Sequence, residues 1–246
     1  VSVTDLAGLV VTRVDTWVVP LPTHRVLVRV GADGVAGWGE ATPAGPPACR
    51  AETAALIAAS GAAPLWVDAN QAYTVDTALW LARRLVELDV SVFEQPLPAN
   101  DIVGLRRLRT ASPIPVALDE SLRHPSDLAT FVRLGAVDVA IAKVQRSGGL
   151  TLSRRLCALA EESAVRLMGS GLTDSDLGLA ASLHLFAAFG IDTPVDLNGR
   201  QFVDSVYATG ATVRITDGVA AVPDGPGLGV TVDEAVVREL AVDVLS

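Results

Sequence analysis

Lysine is almost absent from this chain. Of nineteen lysine and arginine positions in 246 residues, one, Lys143, is lysine. Cysteine (two), histidine (three), methionine (one) and aromatic residues (4%) are also sparse. Each scarcity narrows the field. Cys49 and Cys157 stand far apart without Cys-x-x-Cys spacing, which argues against a disulfide framework or zinc scaffold and fits a reduced, cytoplasmic protein. His24, His124 and His184 have no metal-ligand spacing. A net charge of −9 with no basic cluster argues against a nucleic-acid partner. The first six residues carry no basic, then apolar, leader pattern, so no signal peptide is expected. The longest apolar stretch, residues 177–191, includes Ser182 and His184 and is too short to span a bilayer. It reads as a buried helix, and no membrane partner is expected.

What is present is a large apolar fraction, 50%, ample for a core. Residues 9–42 read as an antiparallel meander, with β-branched runs at 10–19, 26–30 and 35–40 and a hairpin signal at Asp33-Gly34. Residues 43–47 break the pattern, and the Ala-rich residues 51–60 read as a helix. From Pro64 short apolar runs alternate with helical segments. One such segment, 74–88, carries Ala78, Leu81, Leu85 and Leu88 on a single stripe. Near-continuous apolar strands alternating with helices indicate an α/β fold with a parallel sheet. The period is even: Asp68 to Glu94 is 26 residues, Glu94 to Asp119 is 25, Asp119 to Lys143 is 24, Lys143 to Gly169 is 26 and Gly169 to Asp196 is 27. Units of one size suit a barrel better than a doubly wound sheet. Residues 213–246 break the alternation again, with β-like pieces, a turn-rich stretch at 223–229 and a short helix near 232–240. This tail is expected to return to the N-terminal meander.

Four successive units end in ionisable groups: Asp68, Glu94, Asp119 and Lys143. In a parallel barrel the C-terminal strand ends meet at one face, so these four would converge on one pocket. Three carboxylates in one place repel unless a cation joins them, and oxygen-only ligands favour Mg²⁺, with Mn²⁺ as a substitute. Arginine stays charged in any site, whereas a desolvated lysine can give up its proton and act as a base. Lys143 beside such a metal could remove a proton from carbon while the cation stabilises the developing enolate oxygen. The structural alternative for each carboxylate is a helix N-cap. Thr74 with Asp76, and His124 or Ser126 with Pro125, already serve the following helices, and Glu94 precedes Gln95-Pro96-Leu97-Pro98, which cannot be a helical turn throughout. Asn70 and Glu120 are neighbours that either support the site or are plain loop groups. The turns Ser147-Gly148-Gly149 and Gly169-Ser170-Gly171 could offer backbone N–H groups to a substrate carboxylate, or could be simply what tight βα turns need. His184 reads as a satisfied core group.

The stretches Val67-Asp68-Ala69-Asn70-Gln71, Phe93-Glu94-Gln95-Pro96, Leu118-Asp119-Glu120-Ser121, Ile141-Ala142-Lys143 with Gly148-Gly149, and Pro226-Gly227-Leu228-Gly229 resemble motifs of the enolase superfamily, in its mandelate racemase/muconate-lactonizing branch. The resemblance covers roughly residues 64–230. It implies a modified TIM barrel, (β/α)7β, formed by residues 61–210, under an α+β capping domain of residues 1–60 with 211–246. It implies Mg²⁺ on Asp68, Glu94 and Asp119, Lys143 as acid/base, removal of the proton α to a carboxylate, a small carboxylate substrate and a homo-oligomer. Two departures stand out. The family's Lys-x-Lys strand has no counterpart, and the chain lacks room for about two barrel units between meander and Pro64. The longer loop that closes over substrate in the family is replaced by Leu21-Pro22-Thr23-His24. Residues 169–178, GSGLTDSDLG, lack the glutamate that relatives often have near Thr173 or Asp174, so this pocket wall differs. Asp196-Leu197-Asn198 partly matches the Asp-x-Asp with which dipeptide epimerases hold an ammonium, or only orders the loop after the last strand.

Several readings follow. The leading one is a Mg²⁺-dependent isomerase or lyase working through an enolate. A dipeptide epimerase, or an enzyme of the N-acylamino-acid racemase/o-succinylbenzoate synthase type, is the nearest alternative. A Schiff-base aldolase would also use one strand-end lysine but leaves three ordered carboxylates without a role. A metal-binding relic without catalysis is the non-enzyme alternative.

Overall fold

The computed structural model describes residues 11–19, 25–32, 35–41, 65–172, 174–193, 195–197, 207–209, 213–216 and 219–240. The expected breaks and helix at 43–60, the Leu21–His24 connection, the Asp33-Gly34 turn and Asn198 lie outside them. The chain divides into two compact units: Val1–Val67 with Trp80–Val92, and Asp68–Leu79 with Phe93–Ser246.

In the N-terminal part the backbone forms a three-stranded antiparallel sheet, β1 (Val11–Val19), β2 (Arg25–Ala32) and β3 (Val35–Ala41), in the order β1-β2-β3. Its register pairs Val14 with Val30, and Ala32 with Val35. This is the meander expected from the β-branched runs.

The larger sheet is parallel. Its strands are β4 (Leu65–Asp68), β5 (Val90–Glu94), β6 (Val116–Leu118), β7 (Val139–Ala142) and β8 (Arg166–Gly169), in the order β4-β5-β6-β7-β8. Strand order that follows chain order without reversal is what a barrel needs, whereas a doubly wound sheet reverses at its switch point. Helices α1 (Val75–Val86), α2 (Ile102–Ala111), α3 (Pro125–Leu134), α4 (Leu150–Glu162) and α5 (Asp176–Ala188) follow the five strands in turn. A further parallel bridge, Ser170 to Asp196, continues the pattern beyond β8 at the sixth apolar run.

Local chemistry sets the element ends. Thr74 Oγ1 accepts the Thr77 N–H at 3.4 Å ahead of α1. His124 caps α3 in a capping box with Asp127, Pro125 opens the helix, and Gly135 closes it in the left-handed conformation at φ 61°. These two helix starts are therefore capped without using the strand-end carboxylates. Every residue of β6 and β7 is buried, as expected of strands covered on both faces. Leu105, Leu108, Leu128, Phe131, Leu156 and Ala160 supply the helical side of the core.

The apolar stretch 177–191 is indeed a buried helix, α5, packed on Ala142, Val144 and Cys157. Burial pushes the Cys157 thiol up to about 12, which leaves it an inert core group. The tail forms β9 (Ala208–Thr209) paired with β12 (Thr231–Val232), a hairpin of β10 (Ile215–Thr216) and β11 (Val219–Ala220), and α6 (Glu234–Leu240). Val213, Leu228 and Val230 of the tail pack on α5 at Leu179, Ala180 and Leu183.

Candidate active site

The spacing seen in the sequence is the spacing of strand ends. Asp68 closes β4 and Glu94 closes β5, while Asp119 and Lys143 directly follow β6 and β7. The register sets neighbouring ends side by side, with Glu94 opposite Ala117, Leu118 opposite Ala140, and Ala142 opposite Gly169. The Ala69 N–H donates to the Glu94 carbonyl at 3.1 Å, joining the first two ends. All these groups fall in the second compact unit.

Lys143 Nζ donates to Asp119 Oδ2 at 2.8 Å, and both side chains are buried. The other carboxylate oxygen, Asp119 Oδ1, is paired with the Arg146 guanidinium. Asp68 is exposed at its edge, yet desolvation of its carboxyl pushes its pKa up to about 6. The Asn70 N–H bonds Asp68 Oδ1 at 2.8 Å and pulls the other way, Glu120 and Asp119 add repulsion, and Lys143 offsets part of it. Burial also raises Asp174, while the Leu172 N–H, at 3.2 Å from Oδ2, and the charge of Lys143 lower it. Asp68, Asp119, Glu120, Lys143 and Asp174 therefore share one electrostatic environment.

Two glutamines hold this arrangement. Gln95, fully buried, donates to the Leu97 carbonyl and Ser121 Oγ, each at 2.9 Å. Its oxygen accepts the N–H groups of Asp119 at 2.9 Å and Ser121 at 3.1 Å. Gln71 donates to Glu120 Oε1 at 3.2 Å and accepts the Ala99 N–H at 2.9 Å. Asn70, Gln71 and Gln95 all have positive φ (43°, 66° and 30°), a costly backbone state for non-glycine residues that clusters at functional loops.

The other candidates divide. Gly148 and Gly149 spend their N–H groups inside their own turn, on the carbonyls of Gln145 at 3.3 Å and Val144 at 2.9 Å. These bonds match the second of the two readings left open for this turn, the closure of a tight βα connection. Gly169 is a packing glycine, since a Cβ there would lie 2.7 Å from the Phe186 ring. The Asp196 carbonyl accepts the Gly171 N–H at 2.8 Å. His184 faces the Leu228 carbonyl at 3.3 Å, as a satisfied core group should. Sequence reasoning missed Arg146, and it gave Gln71 and Gln95 no role although both lie in the motif-like stretches. A basic residue three positions after the lone lysine was the one available signal for Arg146.

Among the described residues, no three His, Cys, Asp or Glu side chains are grouped as they stand so as to hold a metal ion. The donor chemistry nonetheless fits a hard divalent cation. Carboxylates close neighbouring strand ends, Asp68 is desolvated beside others of its own sign, and Glu120 Oε2 is buried without a hydrogen-bond partner. Asp68, Glu94 and Asp119 are the residues that would hold it.

A protein-family model described as "Enolase C-terminal domain-like" matches residues 28–236. Muconate cycloisomerase 1-2 of Acinetobacter lwoffii is 33% identical over 177 residues, 72% of this chain and 46% of its own. The L-Lys-D/L-Arg epimerase of Methylococcus capsulatus is 34% identical over 171 residues, 69% of this chain and 48% of its own. The crystal structure of a mandelate racemase/muconate lactonizing family protein from Azoarcus sp. EbN1 matches with a TM-score of 0.64 and 32% identity, over 73% of this chain and 51% of that one. The chain thus spans about half the length of the curated relatives it matches. Its successive βα units are those of a modified TIM barrel with part of the barrel unaccounted for. The chain belongs to the enolase superfamily, among its mandelate racemase/muconate-lactonizing members.

Proposed function

We propose that the chain carries the acid/base half of an isomerase or lyase that removes the proton α to a carboxylate. The observation that carries this reading is Lys143 Nζ at a strand end, 2.8 Å from the buried Asp119 and within the field of Asp68 and Asp174. Lys143 would take the α-proton, its ammonium would be balanced by Asp119, and Asp174 would help set where Nζ points. Gln95 and Gln71 would keep the loops after β5 and β6 in place while the substrate exchanges. Asp68, Glu94 and Asp119 would hold Mg²⁺, or Mn²⁺ in its stead. When bound, that cation would supply positive charge to the carboxylate oxygens as the α-proton leaves.

If Lys143 is the only lysine of the whole protein, a one-base reaction, as in cycloisomerisation or dehydration, fits better than a two-base racemisation; the matched relatives are about twice as long as the chain. The similarity to an epimerase keeps N-acylamino acids and dipeptides among the substrates to be tried. The same proposal includes a cytoplasmic homo-oligomer and a small carboxylate substrate. It also includes a capping part of residues 1–60 with 211–246 around a barrel part of residues 61–210. No described helix is long and apolar enough to cross a membrane.

The test is α-carbon ¹H/²H exchange in D₂O across a panel of N-acylamino acids, dipeptides, muconate-like diacids and sugar acids, with and without Mg²⁺. Exchange that requires Mg²⁺ supports the reading and names the substrate class. Exchange with none of them, by a chain that binds Mg²⁺, favours a metal-binding relic.

A further inference from the structure

Asp119 is doubly committed. Its side chain is 2% exposed, and each of its oxygens already faces a cation, Lys143 at Oδ2 and Arg146 at Oδ1. A buried carboxylate needs such balance, because an uncompensated charge in the interior is costly. Adding a divalent ion to the same group would gather three cations around one carboxylate, and like charges in one place disfavour each other. One of the two side chains has to yield.

The two are not equally free to do so. Lys143 directly follows β7, and its side chain is 9% exposed. Arg146 sits three residues on, in the turn before α4, with 16% of its side chain exposed. That turn is held by its own backbone: Ser147 N–H donates to the Lys143 carbonyl at 3.1 Å and Gly149 N–H to the Val144 carbonyl at 2.9 Å. The guanidinium can therefore swing toward solvent on its long stem without unwinding the turn, and solvent rehydrates it there.

We propose that Arg146 is a removable counterion, holding Asp119 Oδ1 until a divalent cation takes that oxygen. This rests on the reading of Asp119 as a metal ligand. On this account Arg146 competes with the cation, weakens its apparent affinity and guards the buried carboxylate between loadings. Lys143 keeps its contact with Oδ2 throughout.

Calorimetric titration of Mg²⁺ and Mn²⁺ into the wild-type chain and into Arg146→Met, Arg146→Lys and Asp119→Asn tests the exchange. Arg146→Met should bind tighter by about tenfold or more, the scale of one hydrogen-bonded charge on a buried carboxylate. Arg146→Lys should stay near wild type, and Asp119→Asn should lose binding. In the wild-type chain the Arg146 Nε–Hε resonance should shift as Mg²⁺ is added, a readout that needs no variant to fold. Equal or weaker binding by Arg146→Met, or an unmoved resonance at saturation, overturns the exchange. If Asp119→Asn still loses binding in that case, the metal reading survives. If Asp119→Asn binds as tightly as wild type, the metal reading itself fails and the exchange with it.

Discussion

Gln95 Oε1 accepts the backbone N–H of Asp119 at 2.9 Å, so the carboxylate that grips Lys143 is placed by a side chain from the neighbouring strand end. The amide makes all four hydrogen bonds open to it, two as donor and two as acceptor. Gln95 itself stands at φ 30°, a strained state repaid by that network.

Replacing Gln95 by Leu keeps the bulk but leaves buried N–H and C=O groups unsatisfied. Urea unfolding should report a loss of about 2–4 kcal/mol. A loss under about 1 kcal/mol would mean that water or a neighbour takes over those bonds.

Asp68 gives the site a pH signature. Its pKa rises from 3.8 to about 6 on folding, with desolvation as the main cause. A carboxyl raised in the folded state contributes stability that is complete below its unfolded pKa and is lost as pH rises through the folded value. Between pH 3.8 and about 6 wild type should therefore lose stability that Asp68→Asn retains. Relative to wild type, the variant should gain about 1 kcal/mol across that window, the full shift being screened at a residue with an exposed edge. Urea melts at the two ends of the window check this, and parallel pH profiles for the two chains would contradict it.

Asp138 tests the scaffold apart from the chemistry. Its Oδ1 accepts Arg109 Nε at 2.8 Å and its Oδ2 accepts the Val116 N–H at 3.0 Å, tying α2 and β6 to the start of β7. Asp138→Ala leaves that N–H without a partner and should cost about 1–3 kcal/mol in chemical unfolding. Asp138→Asn keeps an acceptor and should cost less. Equal losses in the two variants would assign the effect to the ion pair alone.

The contrast between what the sequence displays and what it hides follows from range. Asp68, Glu94, Asp119 and Lys143 stand out because each ends one βα unit, and units of near-equal length repeat a position on the fold. Thr74 and His124 stand out as caps because helix starts obey local rules. The roles of Arg146, Gln95 and Gln71 do not stand out, because their partners lie 27, 24 and 49 residues away, and the short motifs that contain the two glutamines do not show those contacts. Glycine spacing leaves both readings of Gly148 open, an anion-binding turn or a tight connection, because the carbonyl that takes its N–H depends on how the turn closes. Asp174 stands out only as a departure from the relatives' glutamate, and its burial within the field of Lys143 is a property of the fold.

The proposed role of Lys143 is to move a proton on carbon. The most direct measurement compares wild type with Lys143→Ala for α-proton exchange in D₂O with Mg²⁺, using the acid that wild type exchanges fastest. The account predicts that exchange falls by about 10³-fold or more in a variant that melts as wild type does, on the scale of a lost general base with its positioned charge. Exchange within about tenfold of wild type would contradict it and move the base elsewhere.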